Sequence, residues 1–443
     1  MGTAAQSSSE IYTSDSEKGF AISNHSSTSS ELDAGAKFVL VSRGSWLHCG
    51  YHLTTSIVGP VILTLPFSFT LLGWFGGIIW LVLAGVITFY SYNLLSIVLE
   101  HHAQLGRRQL RFRDMARDIL GPRWAKYYIS PLQFIICFGT VIGGPLVGGK
   151  SLKFIYQLYH PEGSMKLYQF IIICGVVTML LAQLPSFHSL RHINLISLIL
   201  CVTYATCLTI GSIYVGHSKD APPRHYSVKG SHVDKLFGVF NGISIIATCY
   251  ASGIIPEIQA TLAPPVKGKM FKGLSGATVL TNYIRFNDIG EMKLLLPKWF
   301  FLMTNILILL QVFGLTAVYL QPTNELFETI FGDPKKGQFS MRNVVPRVLS
   351  RSISVAAATV FAAMLPFFPD IMALFGAFAF IPLDFILPMV FYNITFKPSK
   401  QSIIFWLNTL IGGGSSILVV IGGIASIRQI ALDAKTYSLF SDS

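Results

Sequence analysis

Charge is scarce in this chain. Only 12% of its 443 residues are Asp, Glu, Lys or Arg, against 52% apolar residues, which excludes an ordinary soluble domain. Acidic residues are the scarcer sign, 21 against 33 basic ones. The basic excess lies in short loops between apolar runs, as expected of loops facing anionic lipid, so a lipid bilayer and not a nucleic acid is the expected partner. Cysteine is also sparse. Cys49, Cys137, Cys174, Cys201, Cys207 and Cys249 each lie in or beside an apolar run. None has metal-ligand spacing, which excludes a zinc module and a disulfide framework. GxSxG, HExxH and paired intramembrane carboxylates are absent, so neither an enzyme nor a resident metal or cofactor is expected. Residues 1–36 lack a basic start and apolar core, and Gln6 breaks the myristoylation pattern. Their Ser, Thr and acidic content reads as a disordered cytoplasmic tail.

What is abundant is apolar length. About ten runs are long enough to cross a bilayer. They are expected at 45–70, 72–98, 127–156, 167–185, 191–215, 235–261, 298–320, 348–368, 371–392 and 403–427. The basic connection 101–125 belongs in the cytoplasm, with a short surface helix over 112–120. Charge and crossing count agree as far as the lysines of 263–273. They then disagree, because the basic loop after 298–320 also requires the cytoplasm. Either one more crossing belongs near 273–278, or the charge rule fails for one loop.

Two of the expected spans are interrupted. TTSIVGPVILTLPFSF places Gly59 and Pro60 side by side in the first. GVFNGISIIATCYASGIIPEIQATL places a small, polar run and then Pro256-Glu257 in the span five helices later. Non-helical backbone at membrane depth is tolerated only when buried in protein or lining a wet cavity. A simple proline kink would explain one such break. Interrupted helices in corresponding positions of two halves point to a transporter binding site. Free N–H groups at one half-helix start attract a carboxylate, and free C=O groups at the other end suit a cation. A zwitterionic amino acid presents both charges.

Glu257 is the candidate proton carrier, because intramembrane carboxylates are costly and usually functional. Its alternative is a structural carboxylate bonded to unwound amides. Asp384 is expected to cap a helix end or pair with a lysine. His48 and His52 lie one to two turns before the first break, towards a cytoplasmic gate, while Arg191 and His192 are expected to snorkel. Gly143, Gly144, Gly148 and Gly149 are expected to let their helix approach a neighbour. Tyr250 is a candidate aromatic contact to a substrate cation.

SIVGPVILTLPFSFTLLGW, FRDMARDILGP, LAQLPSFHSLRHIN, IIATCYASGIIPEIQATLAPPVKGKMFKGL, VVPRVLSRS and GAFAFIPLDFILPMVFYNITFKPSK, in this order, resemble plant GABA transporter-like permeases. These belong to the amino acid/auxin permease family. The resemblance runs from about Trp46 to the C-terminus. It implies an all-α, LeuT-type fold: a five-plus-five inverted repeat with unwound helices 1 and 6, and an eleventh helix. It also implies proton-coupled import of GABA or other neutral amino acids across the plasma membrane, with the proton gradient as driving force. The substrate site implied by motif is Ser56, Ile57, Val58, Gly59, Pro60 and Val61 with Thr248, Cys249, Tyr250, Ala251, Ser252 and Gly253.

Relatives carry a full helix 7 after the KGKMFKGL motif, whereas this chain passes from Leu274 straight to Ser275-Gly276-Ala277. The expected organisation is therefore a tail over 1–36 and a first repeat plus broken helix 6 over 37–262. Loops flanking a missing helix 7 follow over 263–297, and the remaining helices occupy 298–443. A non-transporting product that interferes with full-length relatives is the alternative reading.

Overall fold

The computed structural model describes residues 33–58, 62, 64–217, 228, 231–287, 297–364 and 368–433. Gly59, Pro60, Val61 and most of the expected tail lie outside these residues. Among the described residues the chain is helical, and its only β pairing is an isolated bridge between Gly44 and Leu262. The helices, in order, are α1 (Ala34–Phe38), α2 (Trp46–Ile57), α3 (Leu65–Gln104), α4 (Phe112–Leu120), α5 (Ser130–Tyr159), α6 (Leu167–Leu181) and α7 (Arg191–His217). They continue with α8 (His232–Tyr250), α9 (Ile255–Ala260), α10 (Lys269–Asn287), α11 (Lys298–Phe331), α12 (Met341–Met364), α13 (Phe368–Phe375), α14 (Leu387–Phe396) and α15 (Ile403–Asp433).

Eight helical segments among the described residues are long and apolar enough to cross a membrane. The expected spans 45–70 and 72–98 meet inside α3, where Gly73 bends the run at φ 69° and ψ 165°. A side chain rarely adopts that conformation, so glycine marks the corner. Outward-facing side chains are apolar: Phe75, Leu180 and Ile403 are 80%, 71% and 83% exposed. Inward-facing positions hold polar groups such as Gln311, Asn324 and Asp384, each at most 1% exposed. That inversion of a soluble protein's pattern suits hydrocarbon surroundings.

The region 263–297 departs from the expected loops. Residues Lys269–Asn287 form α10, although it is not among the helices apolar enough to cross by composition. Met270, Leu274 and Ala277 are buried at helical spacing. The Met270 sulfur lies 3.3 Å from Cys49 Sγ on α2. A Cβ on Gly273 would lie 3.1 Å from the Trp46 carbonyl oxygen and 3.3 Å from the Gly50 nitrogen. Tertiary packing on α2 thus makes a helix from a sequence with weak periodicity. At about 1.5 Å per residue, α10 is roughly 28 Å long, close to the thickness of a bilayer core. It starts at the end of the molecule that carries Cys49. The C-terminal end of α11 lies there too, since Lys37 Nζ reaches the Pro334 carbonyl at 2.9 Å. The start of α11, Lys298, therefore lies at the opposite end of that helix.

Other expectations hold locally. Helix α4 coincides with the expected surface helix over 112–120, burying Phe112, Met115 and Ala116. The six cysteines are free, all but Cys207 buried. The α5 glycines are contact points. A Cβ on Gly144 would collide with Thr316 of α11, one on Gly148 would lie 3.1 Å from Cys174 Sγ, and one on Gly149 would lie 2.9 Å from the Ile171 nitrogen. Gly149→Leu is expected to reduce the folded fraction sharply, because the obstacle is backbone and overpacking costs about 1–3 kcal/mol or more. Gly413→Leu, at a position with open space around it, is the control. Monodisperse yield by fluorescence-detected size exclusion checks this, and equal yields would contradict it.

Candidate functional site

The second break is shorter than the sequence suggests. Thr248, Cys249 and Tyr250 remain in the last turn of α8, so the expected unwound run is corrected to the residues between α8 and α9. The turn persists because its side chains are satisfied in helical geometry. Thr248 Oγ1 donates to the Ser244 carbonyl at 2.9 Å and lies 3.0 Å from the Met372 carbonyl. Ala251 then turns extended, at φ −80° and ψ 151°. Gly253 adopts φ 67°, and a Cβ there would lie 2.9 Å from the Ile136 side chain. Both the dihedral and the space demand glycine. In the first span, α2 ends at Ile57 and Val58 leaves the helix at φ −91°, ψ 84°. Ser56, Ile57 and Val58 are buried there, and Gly59, Pro60 and Val61 lie outside the described residues.

The two breaks meet. Ser252 Oγ donates to Ser56 Oγ at 3.1 Å. The Tyr319 hydroxyl of α11 lies 2.9 Å from both the Ser56 and the Ser252 carbonyl oxygens. Gln311 Nε2, two turns earlier on α11, donates to the Val58 carbonyl at 2.8 Å. Tyr92 of α3 donates to the Tyr250 carbonyl at 3.3 Å, and Gln133 of α5 to the Gly253 carbonyl at 3.3 Å. Asp384 accepts from the Ser252 and Gly253 N–H groups at 3.0 Å each. Each interaction supplies a partner that a helix would have provided and that lipid cannot.

Asp384 is placed by two successive π-helical turns, Gly376–Phe380 and Pro382–Ile386, between α13 and α14. Such turns often mark functional positions, and Pro382 contributes by lacking an N–H. Asp384 does not cap a helix end as expected: it holds the amides of the break itself, ahead of α9, whose N-terminus has no side-chain cap; no lysine pairs with it among the described ion pairs. The amide-bonded role considered for Glu257 belongs to Asp384 at the break itself. Glu257 sits in the first turn of α9 and is 2% exposed. Its Oε1 accepts from the Phe112 N–H and from Gln133 Nε2, both at 2.8 Å. It therefore joins the break to the surface helix α4.

Around this centre the expected histidines take structural places. His48 completes a capping box with Ser45 at the start of α2. His52 bonds Asn194 and meets the Phe187 ring edge-on. His192 is exposed, and Arg191 Nε lies 3.0 Å from its Nε2. Tyr250 is buried, its ring within the apolar cluster that contains Val58 and Ile62.

The end of the molecule below Glu257 is closed. Gly44 donates to the Thr261 carbonyl at 2.8 Å, and Arg108 reaches the Leu262 carbonyl at 2.8 Å. Arg111 bridges Asp33 at 2.5 Å and Glu325 at 2.6 Å, and Arg113 reaches the same Glu325 oxygen at 2.9 Å. The segment ahead of the first break is thus tied to α11. Burial pushes the Asp33 carboxyl up, but Arg111, the Ala36 N–H and the Arg113 charge outweigh it and hold it below its ordinary value. A carboxylate lowered in this way contributes stability at all pH above its ordinary range and loses it only as pH falls through the lowered value. The Asp33 arm of the clamp is therefore intact at neutral pH.

Tyr319, Gln311, Gln133 and Tyr92 were not singled out in the sequence. Their signal was present: polar side chains inside otherwise apolar spans. Tyr319→Phe is expected to remove the one O–H that the two buried carbonyls share and to cost about 1–3 kcal/mol. A lower melting temperature of the purified chain in detergent checks this; an unchanged one would contradict it.

Comparison with known proteins gives the fold and the family. Of solved structures, Mhp1, a nucleobase–cation symporter family transporter in a closed conformation, superposes with a TM-score of 0.52 at 13% identity, over 92% of this chain and 97% of that one. A sodium-coupled sialic acid symporter gives 0.51 at 10% identity, over 93% and 94%. These likenesses establish the LeuT-type fold. By sequence, GABA transporter 1 of Arabidopsis thaliana is 49% identical over 436 residues, 93% of this chain and 96% of that protein. Because 93% of 443 residues falls short of 436, the relative carries residues within the matched span that this chain lacks. Lysine histidine transporter-like 1 of the same plant is 29% identical over 93% and 94%. The family described as transmembrane amino acid transporter protein matches residues 42–428. The protein is a member of the transmembrane amino acid transporter family.

Proposed function

We propose that this protein imports GABA or related neutral amino acids across the plasma membrane, coupled to protons, with its N-terminus in the cytoplasm. The observation that carries the proposal is the meeting of the two breaks at Ser56 and Ser252. Backbone carbonyls and amides of opposite polarity there lie within one side chain's reach of each other. A zwitterion with a short methylene chain matches that polarity. Its ammonium replaces Tyr319 and Gln311 at the carbonyls of Ser56, Val58 and Ser252. Its carboxylate competes with Asp384 for the Ser252 and Gly253 amides. Each exchange swaps one hydrogen bond for another, so binding need not strand a polar group. The 49% identity to a protein named GABA transporter 1 supports the substrate class.

Glu257 is the proposed coupling carboxylate. It is buried and linked to the break through Gln133. Each proton entering down the membrane potential supplies about 2.3 kcal/mol per 100 mV, enough to concentrate a neutral zwitterion about fiftyfold. The basic loops on the clamp side support a cytoplasmic assignment for that end. The non-transporting alternative rested on a crossing absent between 263 and 297, and α10 supplies a helix there.

The test is radiolabelled GABA uptake into proteoliposomes with an imposed inward proton gradient. Uptake is expected to follow the gradient, to collapse with a protonophore and to persist when sodium is replaced by choline. Glu257→Gln is expected to abolish gradient-driven accumulation. Normal, pH-dependent uptake by that variant would remove Glu257 from coupling, and no gradient-dependent uptake by the unaltered chain would overturn the function.

A further inference from the structure

Glu257 uses only one of its carboxylate oxygens. Oε1 takes both donors described above, whereas Oε2 is buried without a hydrogen-bond partner. Beside it lies a partly open cavity of about 30 Å³, lined among others by Glu257, Gln133, Arg111, Arg113, Thr323 and Glu325. Two more of these residues carry buried polar atoms without partners, Thr323 Oγ1 and Arg111 Nε. An acceptor, a hydroxyl and a donor are therefore all unsatisfied around one small space. Empty protein cavities are apolar, whereas a polar cavity larger than about 10–15 Å³ with two to four partners holds water. On its far side the cavity reaches Glu325, already paired with Arg111 and Arg113.

We propose that this cavity is a water-filled proton-release site through which Glu257 passes its proton to Glu325. The inference rests on the proton-coupled reading of Glu257. The Glu257 O–H bond breaks and its proton joins the water oxygen, while another proton of that water leaves for the Glu325 carboxylate. The water is regenerated, Glu257 becomes the anion and Glu325 becomes neutral. The charged and titratable groups facing Glu257 are Arg111 and Arg113 from the α3–α4 side, Glu325 from α11 and Cys137 from α5. The two guanidiniums favour an anionic Glu257 after release. Neutral Glu325 no longer holds them, which loosens the clamp that joins Asp33, ahead of the first break, to α11. Proton release and opening of that end are then one event, and bulk water takes the proton from Glu325 once the end is open.

Thr323→Val removes the hydroxyl but keeps the shape, and Glu325→Gln removes the acceptor. Each is reconstituted as the full chain with a pH dye inside, and GABA-driven proton entry is compared with GABA–GABA exchange, which needs no proton release. The expected result is a fall of about tenfold or more in the ratio of proton entry to exchange for both variants, as for loss of a proton-transfer group. Exchange by Thr323→Val reports that the variant folds. If the unaltered chain moves GABA and protons together, and Glu257→Gln stops proton entry, a normal ratio in Thr323→Val and Glu325→Gln overturns the relay and leaves the coupling role of Glu257 standing. If the unaltered chain shows no GABA-driven proton entry, the relay and the proton-coupled reading fall together.

Discussion

The structure depends on backbone that is broken where water cannot repair it. Each unpaired N–H or C=O in a hydrocarbon environment costs several kcal/mol, and two helices break in the same layer of the molecule. The solution is a ring of side chains from other helices. Tyr319 and Gln311 come from α11, Tyr92 from α3, Gln133 from α5 and Asp384 from the turns ahead of α14. Each of these helices must hold its register to deliver one donor or acceptor. The apolar exteriors fix depth in the membrane, but they are interchangeable with one another. The polar contacts to the breaks decide which face of each helix turns inward.

The same ring explains how a site can be fully satisfied and still receive a ligand. The donors on the free carbonyls are neutral, and the acceptor on the free amides is a side-chain carboxylate. An amino acid offers the same two kinds of group in one molecule. Binding is then exchange of equivalents, and its free energy comes from the charge on the ligand's ends in a site shielded from solvent. Access from one end is barred by the ion pairs of Arg111 and Arg113, which fasten the chain ahead of the first break to the last turns of α11. Glu257 lies between the break and this barrier and is bonded to parts of both through Gln133 and Phe112.

Much of this was legible in the sequence. Apolar length gave eight of the ten expected spans among the described residues, Gly59-Pro60 and the small residues before Pro256 gave the breaks, and the charge of the 101–125 loop gave α4. The mismatch between crossing count and loop charge located α10, although its helix was not foreseen. Among its described side chains Met270, Leu274 and Ala277 turn inward, and close approach to α2 at Gly273, not periodicity, stabilises it. The start of the second break was misplaced because Thr248 can close its turn with a hydroxyl that propensity does not register. Asp384 and Glu257 were both seen, but their partners were not. Free amides at a break are satisfied from a different helix, and no spacing within one segment reveals which one.

The most direct test of the account is an experimental structure of the chain with GABA bound. The account predicts GABA between the Ser56–Val58 backbone and the Ala251–Gly253 backbone. Its ammonium should lie at the carbonyls now held by Tyr319 and Gln311, and Asp384 should have withdrawn from the Ser252 and Gly253 amides. GABA bound elsewhere, with those contacts unchanged, would contradict it.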